Sequence, residues 1–386
     1  MIASSNNHQR QILISGGLAH GGVQTHVMEL CRVLTLHGAD VTIAAVASAW
    51  PPELLDELRQ RGVRILTTPF GLGRGSWLGK AQAVLTWPLR LQPVFDTLYC
   101  HGYGRMHDWM RRFVRPGGCA IYHEIADLAE GRSPPGLARM NAVIANSQPV
   151  ADRLAARFPV RHIRIVPFLT SSAPVPPPAE RPAVGSRPLR IAYLGRLVAH
   201  KQPDWLVEAW DEIAAAPPIA PARLDVYGDD RESGMLERLR RVVQARKLDA
   251  RVGLHGPYAT AEIPRIMAET DIVVLPSLYE GLPLVLVESM LHGVPFVATA
   301  AGGTGDFANP DVEIVPIDRA AVRAGLQRLA ERVRAGTVSA TRLHRWADER
   351  YGYTAVARLW REALLNPTAF FALPTIAGRH SEVHHG

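Results

Sequence analysis

The sequence predicts two doubly wound α/β domains, each built on a parallel β-sheet with helices on both faces. The length of 386 residues exceeds what one ordinary core needs and suits two such domains. Hydrophobic residues make up 47% of the chain and charged residues 20%, which is typical of a globular protein. Short apolar runs alternate with helical patterns throughout, and this βαβ rhythm indicates parallel sheets.

The rhythm is interrupted once, by a proline-rich stretch at residues 171–188. Its sequence, SSAPVPPPAERPAVGSRP, cannot continue a helix or a central strand, so we expect an extended interdomain linker. Residues 1–170 then form the first domain and residues 189–352 the second. Residues 353–386 supply a C-terminal helix, which can cross back to the first domain, and a flexible tail.

In the first domain, apolar runs predict a series of short strands. These are Gln11–Ser15, Val41–Val46, Val63–Thr67, Thr97–Cys100, Ala120–His123, Ala142–Ala145 and Ile163–Val166. A glycine-rich turn follows the first strand. A helix is predicted from Gly22 to Leu36, closed by Gly38.

The second domain repeats the pattern. Its predicted strands are Leu189–Leu194, Leu224–Tyr227, Val252–Leu254, Ile272–Leu275 and Phe296–Ala298. A helix over Pro203–Ala214 has proline in its first turn, and a last helix covers Thr354–Leu365. The tail beyond Asn366 is expected to be poorly ordered. Two such domains that face each other bring the carboxyl ends of both sheets to a common cleft, where ligands bind in these folds.

Charge and cysteine content limit the classes of partner and compartment. The net charge of +7 favours an anionic partner, such as a nucleic acid, a phosphorylated substrate or an anionic membrane. Three cysteines without CxxC spacing disfavour a disulfide framework or zinc site and favour the cytoplasm. Met1 to Arg10 has no apolar region, so we expect no signal peptide. No uncharged apolar run approaches 18 residues, so membrane contact would be peripheral.

The sharpest chemical signal is EGLPLVLVE, the segment from Glu280 to Glu288, which follows a predicted strand. Pro283 is well placed to begin a helix. A helix start presents free N–H groups and a partial positive charge, which suit a phosphate. The two carboxylates can accept hydrogen bonds from sugar hydroxyls. The alternative is two solvated glutamates on an ordinary loop and helix.

A second signal is Gly195-Arg196 with Lys201, just after the first strand of the second domain. Two cations at the carboxyl end of a strand can neutralise a leaving pyrophosphate. A solvated basic loop is the alternative. In the first domain, Gly21-Gly22 would let the backbone approach a ligand closely. Their context is neither GxGxxG nor a Walker motif, which disfavours dinucleotide or ATP binding.

Two histidines stand at predicted strand ends in the first domain. His101 follows the strand Thr97–Cys100, and His123 ends the strand that begins at Ala120. Both are expected to point into the cleft, although a lone histidine is often structural. His26, near the glycine turn, ranks below them.

The chain resembles the retaining glycosyltransferases of family 4, which have the GT-B fold. The specific matches are LGRLVAHK at Leu194 to Lys201 and DIVVLPSLYEGLPLVLVESMLHGVPFVAT at Asp271 to Thr299. The second contains the pair of glutamates, separated by seven residues, that marks this family. GGVQTHVMEL at Gly21 to Leu30 and DTLYCHG at Asp96 to Gly102 match more weakly.

By this resemblance, the second domain binds a nucleotide-sugar donor. Glu280 would bind hydroxyls of the donor sugar and Glu288 the ribose. Arg196 and Lys201 would hold the diphosphate. The remaining donor contacts implied are Gly195 and the backbone of Gly281, Leu282, Pro283 and Leu284.

The first domain would bind the acceptor. Gly21 and Gly22 would lie beside the phosphate or the transferred sugar. One histidine of this domain lies close to the reacting sugar in the family. His101 is the first candidate for that position and His123 the second.

These residues predict a cytoplasmic enzyme that transfers a sugar from a nucleotide-diphosphate sugar with retention of anomeric configuration. It needs no metal or other cofactor, because the cations replace a metal. The acceptor would be a saccharide or a lipid-linked molecule in bacterial cell-surface polysaccharide or glycolipid synthesis, with no nucleic acid partner. The alternatives are a nucleotide-sugar epimerase on the same fold and a non-catalytic, transferase-like binding protein.

Two stretches also suggest peripheral contact with an anionic membrane. Arg105 to Arg115 reads RMHDWMRRFVR, and Arg74 to Phe95 adds further tryptophans and cations. Basic residues interleaved with large apolar ones suit the lipid headgroup boundary. The alternative is that the apolar side chains pack in the core and the arginines face solvent.

Overall fold

The chain divides into two compact units. The structure, a computed structural model, describes residues 9–15, 22–46, 52–68, 94–101, 110–124, 139–158, 162–170, 173–230 and 234–372. The first unit comprises Met1–Ser172 with Val356–Gly386, and the second comprises Ala173–Ala355. Each unit is built on one parallel sheet, as the sequence predicts.

The sheet of the first unit reverses its strand order beside the first strand. Its strands are β1 (Gln11–Ser15), β2 (Asp40–Val46), β3 (Arg64–Thr68), β4 (Phe95–His101), β5 (Val114–Glu124), β6 (Ala142–Ala145) and β7 (Ile163–Ile165). Their order across the sheet is β3-β2-β1-β4-β5-β6-β7. Among the described residues before residue 173, the helices are α1 (Gly22–Leu36), α2 (Pro52–Gln60) and α3 (Gln148–Arg157). This is the doubly wound pattern, with its switch point between β1 and β4.

The second sheet has the same topology. Its strands are β8 (Leu189–Leu194), β9 (Ala222–Tyr227), β10 (Val252–Gly256), β11 (Ile272–Leu275), β12 (Phe296–Thr299) and β13 (Glu313–Val315), in the order β10-β9-β8-β11-β12-β13. The helices are α4 (Pro203–Glu208), α5 (Trp210–Ala215), α6 (Met235–Ala245), α7 (Ile263–Ala268), α8 (Leu284–Leu291), α9 (Arg319–Arg334) and α10 (Ala340–Tyr351). The switch point lies between β8 and β11.

The predicted strands form, with small shifts at their ends. β13 was not predicted, because its half-buried sequence EIV is too short to give a pattern. The helix predicted over Pro203–Ala214 is two helices separated by Ala209, whose ψ of 1° departs from helical geometry. The interior strands β8 and β11 are almost entirely buried, which explains their continuous apolar runs.

The proline-rich stretch packs against the second unit instead of spanning free space. Glu180 accepts hydrogen bonds from Ser339 Oγ at 2.7 Å and from the backbone N–H of Ala340 at 2.9 Å, at the start of α10. Arg181 donates to the carbonyl oxygens of Met267 and Thr270, at the end of α7. The stretch therefore satisfies the open ends of two helices.

The C-terminal segment belongs to the first unit from Val356 onward. It forms α11 (Tyr353–Leu365) and α12 (Pro367–Ala372). Trp360 is fully buried and donates its indole N–H to the carbonyl oxygen of Pro167 at 2.7 Å. The expectation of poor order beyond Asn366 is wrong as far as residue 372, because Phe370 and Phe371 are buried and anchor a helical turn.

We predict that Glu180→Ala lowers the free energy of unfolding by about 1 kcal/mol at pH 7, the usual value of a helix cap. Hydrogen bonds from Thr341 and Ser339 lower the pKa of Glu180 from 4.5 to about 2. A carboxylate with a depressed pKa stabilises the fold above its unfolded pKa, so the difference should shrink as pH falls from about 4.5 to about 2. Urea unfolding of the full chain measures it. Glu237→Ala, on the exposed face of α6, is the control. An equal loss of unfolding free energy in both variants would contradict the capping of α10 by Glu180.

Candidate functional site

The switch point of the second sheet brings together the predicted donor-binding residues. Arg196 and Lys201 follow β8, and Glu280 follows β11, the neighbouring strand. The two loops are joined by a hydrogen bond of 2.7 Å from the N–H of Leu278 to the carbonyl oxygen of His200. In doubly wound sheets, the carboxyl edge at the switch point is where ligands bind. The loops that carry these three residues, selected from sequence, therefore lie side by side at this edge.

Lys201 and Glu280 form a close ion pair. Lys201 Nζ lies 2.6 Å from Glu280 Oε1, and their side chains are only 12% and 9% exposed. Ser277 Oγ donates to the same oxygen at 2.7 Å. Each charge is therefore shielded from solvent and paired with the other, which does not fit the alternatives of a solvated glutamate and a solvated basic loop. The sequence reasoning also did not identify Ser277, which is itself buried.

Arg196 differs from Lys201 in that its side chain is exposed. It makes no ion pair with any of the residues that the structure describes. The positive charge of Lys201 is balanced by Glu280, so Arg196 supplies the uncompensated cation at this edge. Beside it, the rings of His200 and Tyr279 stack with centroids 5.2 Å apart. Burial and the neighbouring Lys201 lower the pKa of His200.

The segment between the two glutamates forms the start of α8, as predicted. Leu282 and Pro283 are buried, and Gly281 and Leu284 are half-buried. The loop after β12 packs on this segment: the N–H of Gly303 donates to the carbonyl oxygen of Gly281 at 2.9 Å. A Cβ atom on Gly302 would stand 1.7 Å from the carbonyl oxygen of Glu280. Glycine at that position therefore lets the two loops touch.

Two further donor-site candidates lie on this unit. Gly195 has a φ of +157°, and its carbonyl oxygen would be only 2.0 Å from a Cβ on Gly228. The loop after β8 thus approaches the end of β9 closely. Glu288 lies on α8, half-buried, and burial raises its pKa to about 8. Its carboxyl group is therefore protonated at neutral pH, and it can donate one hydrogen bond as well as accept.

The two candidate histidines of the first unit are buried. His101 ends β4 and His123 lies near the end of β5, in register with it, so the strand predictions hold. Their exposures are 2% and 0%, so both rings are enclosed by the surrounding protein. Gly22 begins α1, and Gly21 lies outside the described residues.

A buried polar chain joins residues of three elements of this unit. Tyr99 Oη lies 2.7 Å from His123 Nδ1 and 3.2 Å from His26 Nε2. The backbone N–H of Leu169 donates to His26 Nδ1 at 3.3 Å. Burial lowers the pKa of both histidines and raises that of Tyr99. The sequence reasoning missed Tyr99 and ranked His26 below the other two histidines, because only the fold brings them together.

The two stretches that suggest membrane contact, residues 74–95 and 105–115, lie mostly outside the described residues. Within the described part, Met110 and Phe113 are buried in the core of the first unit. Arg115 donates to the carbonyl oxygen of Val94 at 2.8 Å. The apolar residues of this part face inward, so the alternative of core packing holds for them. None of the described helices has the length and apolar character needed to cross a bilayer.

A cavity of about 350 Å³ lies elsewhere in the second unit. Arg187, Asp271 and Pro295 line it, and each precedes a strand, so it opens at the amino edge of the sheet. It is therefore distinct from the carboxyl-edge site. Across residues 9–372, apart from the undescribed gaps, no three or more histidine, cysteine or carboxylate side chains gather as a metal site would require.

Two family models match the two halves of the chain. The model described as "Glycosyltransferase Family 4" matches residues 20–168, and that described as "Glycosyl transferases group 1" matches residues 188–332. Together they cover most of the chain, and each corresponds to one of the two sheets.

Relatives and solved structures agree with these matches. The chain is 28% identical to D-inositol 3-phosphate glycosyltransferase of Xylanimonas cellulosilytica over 349 residues, 77% of this chain and 80% of that protein. It is 34% identical to mannosylfructose-phosphate synthase of Agrobacterium fabrum over 116 residues, 29% of this chain and only 26% of that protein. HepE of Anabaena, solved with UDP and glucose, superposes with a TM-score of 0.69 at 18% identity, covering 92% of this chain and all of that one. The last likeness establishes the shared fold.

We predict that Lys201 and Glu280 are coupled in stability. Breaking a shielded ion pair leaves one buried charge uncompensated, so Lys201→Met and Glu280→Gln should each lower the unfolding free energy by about 2–4 kcal/mol. The double variant should cost clearly less than the sum. Urea unfolding of the four proteins measures the coupling. The exposed pair Arg59–Asp56, whose charged atoms lie 2.7 Å apart, is the control and should show coupling below about 1 kcal/mol. If the two single variants lose unfolding free energy additively, Lys201 and Glu280 do not interact.

We also predict that Glu288→Gln becomes relatively more stable as pH rises. The raised pKa means that the folded protein keeps a proton that the unfolded chain loses between about pH 4.5 and 8. Wild-type stability should therefore fall relative to the variant across that window and then level off. Thermal unfolding of both proteins at pH 5, 6, 7 and 8 checks this. A stability difference that does not change with pH would show that Glu288 is ionised throughout.

Proposed function

We propose a specific reaction for this chain, which belongs to the group 1 glycosyltransferases of family 4 type and is a nucleotide-sugar-dependent enzyme of the GT-B fold. The reaction is transfer of a sugar from a nucleotide-diphosphate sugar to an acceptor with retention of anomeric configuration. The observation that supports it is the pairing of Lys201 with Glu280 at the switch point of the second sheet, with Arg196 in the same loop as Lys201.

The charges at this edge suit departure of a nucleoside diphosphate. Cleavage of the sugar–phosphate bond develops negative charge on the leaving phosphate and positive charge on the sugar ring. Arg196 and the amino end of α8 offer the phosphate a cation and a partial positive charge. Lys201 adds a second cation, and we propose that these groups take the role that a metal ion has in other transferases.

Glu280 is suited to hold the transferred sugar. Lys201 and Ser277 both contact Oε1, which fixes the carboxylate in place. A carboxylate has acceptor capacity on both oxygens, so Oε2 is left to accept a hydroxyl of the sugar. The protonated carboxyl of Glu288 can likewise donate to one ribose oxygen and accept from a hydroxyl.

The first donor to test is UDP-glucose, because the structural neighbour HepE was solved with UDP and glucose. For the acceptor, both relatives carry a phosphorylated compound in their names, and the net charge of +7 suits an anionic molecule. We propose a saccharide or lipid-linked acceptor in cell-surface polysaccharide or glycolipid synthesis, at the cytoplasmic face of the membrane. Met110 and Phe113 are buried, so this proposal does not require them to form an apolar patch that contacts the membrane.

The test is incubation of the full chain with α-linked nucleotide sugars, UDP-glucose first, and a panel of saccharide and phosphorylated acceptors. We expect an α-glycoside, identified by the anomeric proton coupling of the product, and full turnover in EDTA. A β-glycoside would contradict retention, and activity that needs added manganese or magnesium would contradict the role given to the cations. Epimerised donor without transfer would favour the epimerase alternative.

Arg196→Ala provides the matched variant for this assay. Its side chain is exposed, so its loss should not affect stability, while kcat should fall by about a hundredfold, as for other lost charge-stabilising donors. Arg190→Ala is the control, because Arg190 is equally exposed but lies near the amino end of the same strand. Equal activities in the two variants would remove Arg196 from the site.

A further inference from the structure

We propose that Tyr99 and His26 are positioning residues that hold His123 in one neutral tautomer, with Nε2–H free to donate to an oxygen of the nucleotide sugar. The proposal rests on the function proposed above and adds to it a hydrogen-bond relay inside the first unit. The relay runs from a backbone amide, through His26 and Tyr99, to His123.

The first hydrogen bond of the relay determines which groups donate and which accept in the others. A backbone N–H can only donate, so the N–H of Leu169 requires a lone pair on His26 Nδ1. Burial lowers the pKa of His26, so the ring is neutral and carries a single proton. That proton must therefore be on Nε2, which donates to Tyr99 Oη at 3.2 Å.

The second hydrogen bond of the relay determines the tautomer of His123. Burial raises the pKa of Tyr99, so its hydroxyl keeps its proton. Having accepted from His26, the hydroxyl donates to His123 Nδ1 at 2.7 Å. In the reverse arrangement, both the Tyr99 proton and His123 Nε2 would be left without partners among the described residues. The relay leaves one unsatisfied group and the reverse arrangement leaves two, so the relay is favoured.

The relay ends at an unsatisfied donor. His123 Nε2 is buried and has no hydrogen-bond partner in the part of the chain that the structure describes. A buried donor without an acceptor destabilises the fold, so it needs an explanation. His123 lies at the carboxyl edge of its sheet, in register with His101 at the end of β4. The phosphate and hydroxyl oxygens of a nucleotide sugar are acceptors of the kind that this N–H lacks.

Apolar rings surround the relay and keep it neutral. The ring of Trp360, from α11, lies 4.6 Å from that of His26 and 5.1 Å from that of His123. The Phe168 ring is 4.8 Å from His26 and 5.1 Å from His123. His101 is the other titratable ring nearby, 5.7 Å from Tyr99, and it also lowers the pKa of both histidines.

The tautomers can be observed directly by long-range ¹H–¹⁵N correlation on full-length protein labelled at histidine. We expect His26 and His123 both to show the Nε2–H form. The Nδ1–H form at His123 would overturn the proposal. The signal is then followed on saturation with UDP-glucose and, separately, with UDP. A shift with both ligands indicates a phosphate oxygen, and a shift with UDP-glucose alone indicates a sugar hydroxyl. No shift with either ligand, once calorimetry shows saturation, would overturn the donor role.

The positioning role is tested by Tyr99→Phe, which removes only the hydroxyl. We expect kcat to fall at least tenfold with KM for the donor within threefold, and the His123 signal to lose its single tautomer. Tyr122→Phe is the control. Tyr122 lies on β5, next to the strand of Tyr99, and the change removes a buried hydroxyl that donates to Glu124 on the same strand. It should leave kcat within twofold. Normal turnover in Tyr99→Phe would overturn the relay.

Variants of His123 separate this proposal from the function on which it rests. Glutamine has both an acceptor oxygen and an N–H donor, whereas leucine has neither, so His123→Gln should keep at least ten times the activity of His123→Leu. If His123→Leu is inactive while Tyr99→Phe is normal, the relay fails and the substrate contact stands. If His123→Leu turns over normally, the assignment of His123 to the reaction fails with it. If the wild type transfers no sugar, the proposed function itself fails.

Discussion

The reversal of strand order beside β8 is the constraint on which the donor site depends. Loops that follow neighbouring parallel strands must leave the sheet at the same edge, and at the switch point they diverge to opposite faces. Lys201 and Glu280 are 79 residues apart, yet this topology brings their charged atoms within 2.6 Å. The same edge holds the start of α8 and the glycine loop at Gly302. A change that moved β11 relative to β8 would therefore separate Arg196 and Lys201 from Glu280 and the start of α8.

The ion pair also determines how charge is distributed. Because Lys201 is balanced by Glu280 and both are shielded, the site does not hold two uncompensated cations close together. Such an arrangement would be costly while no phosphate is bound, since buried charges without partners destabilise the fold. Arg196, by contrast, is exposed, so water solvates it until an anion arrives. In the proposed reaction, the residues that carry charge in the free protein would also stabilise the charge that develops on the leaving diphosphate.

Much of this could be predicted from sequence, because local patterns report local structure. The apolar runs located the central strands, and the EGLP segment identified a loop followed by a helix start. Features that depend on distant contacts were missed or misjudged. The proline-rich stretch was predicted as an extended linker, but the hydrogen bonds by which Glu180 caps α10, some 160 residues later, were not predicted. The burial of His101 and His123 was not foreseen either, because residues such as Trp360 reach them only in the folded chain.

The proposed reaction makes opposite electrostatic demands on the polar groups of the two units. A leaving diphosphate gains negative charge, so a cation such as Arg196 assists its departure. A sugar ring that loses its leaving group gains positive charge, and a histidinium beside it would oppose the reaction. Burial among aromatic rings holds His123 neutral, and a neutral imidazole can still donate one hydrogen bond without adding charge. The direction of that bond then depends on which nitrogen carries the proton. The proton's position is set by a backbone amide, which cannot act as an acceptor, and it reaches His123 through two side chains.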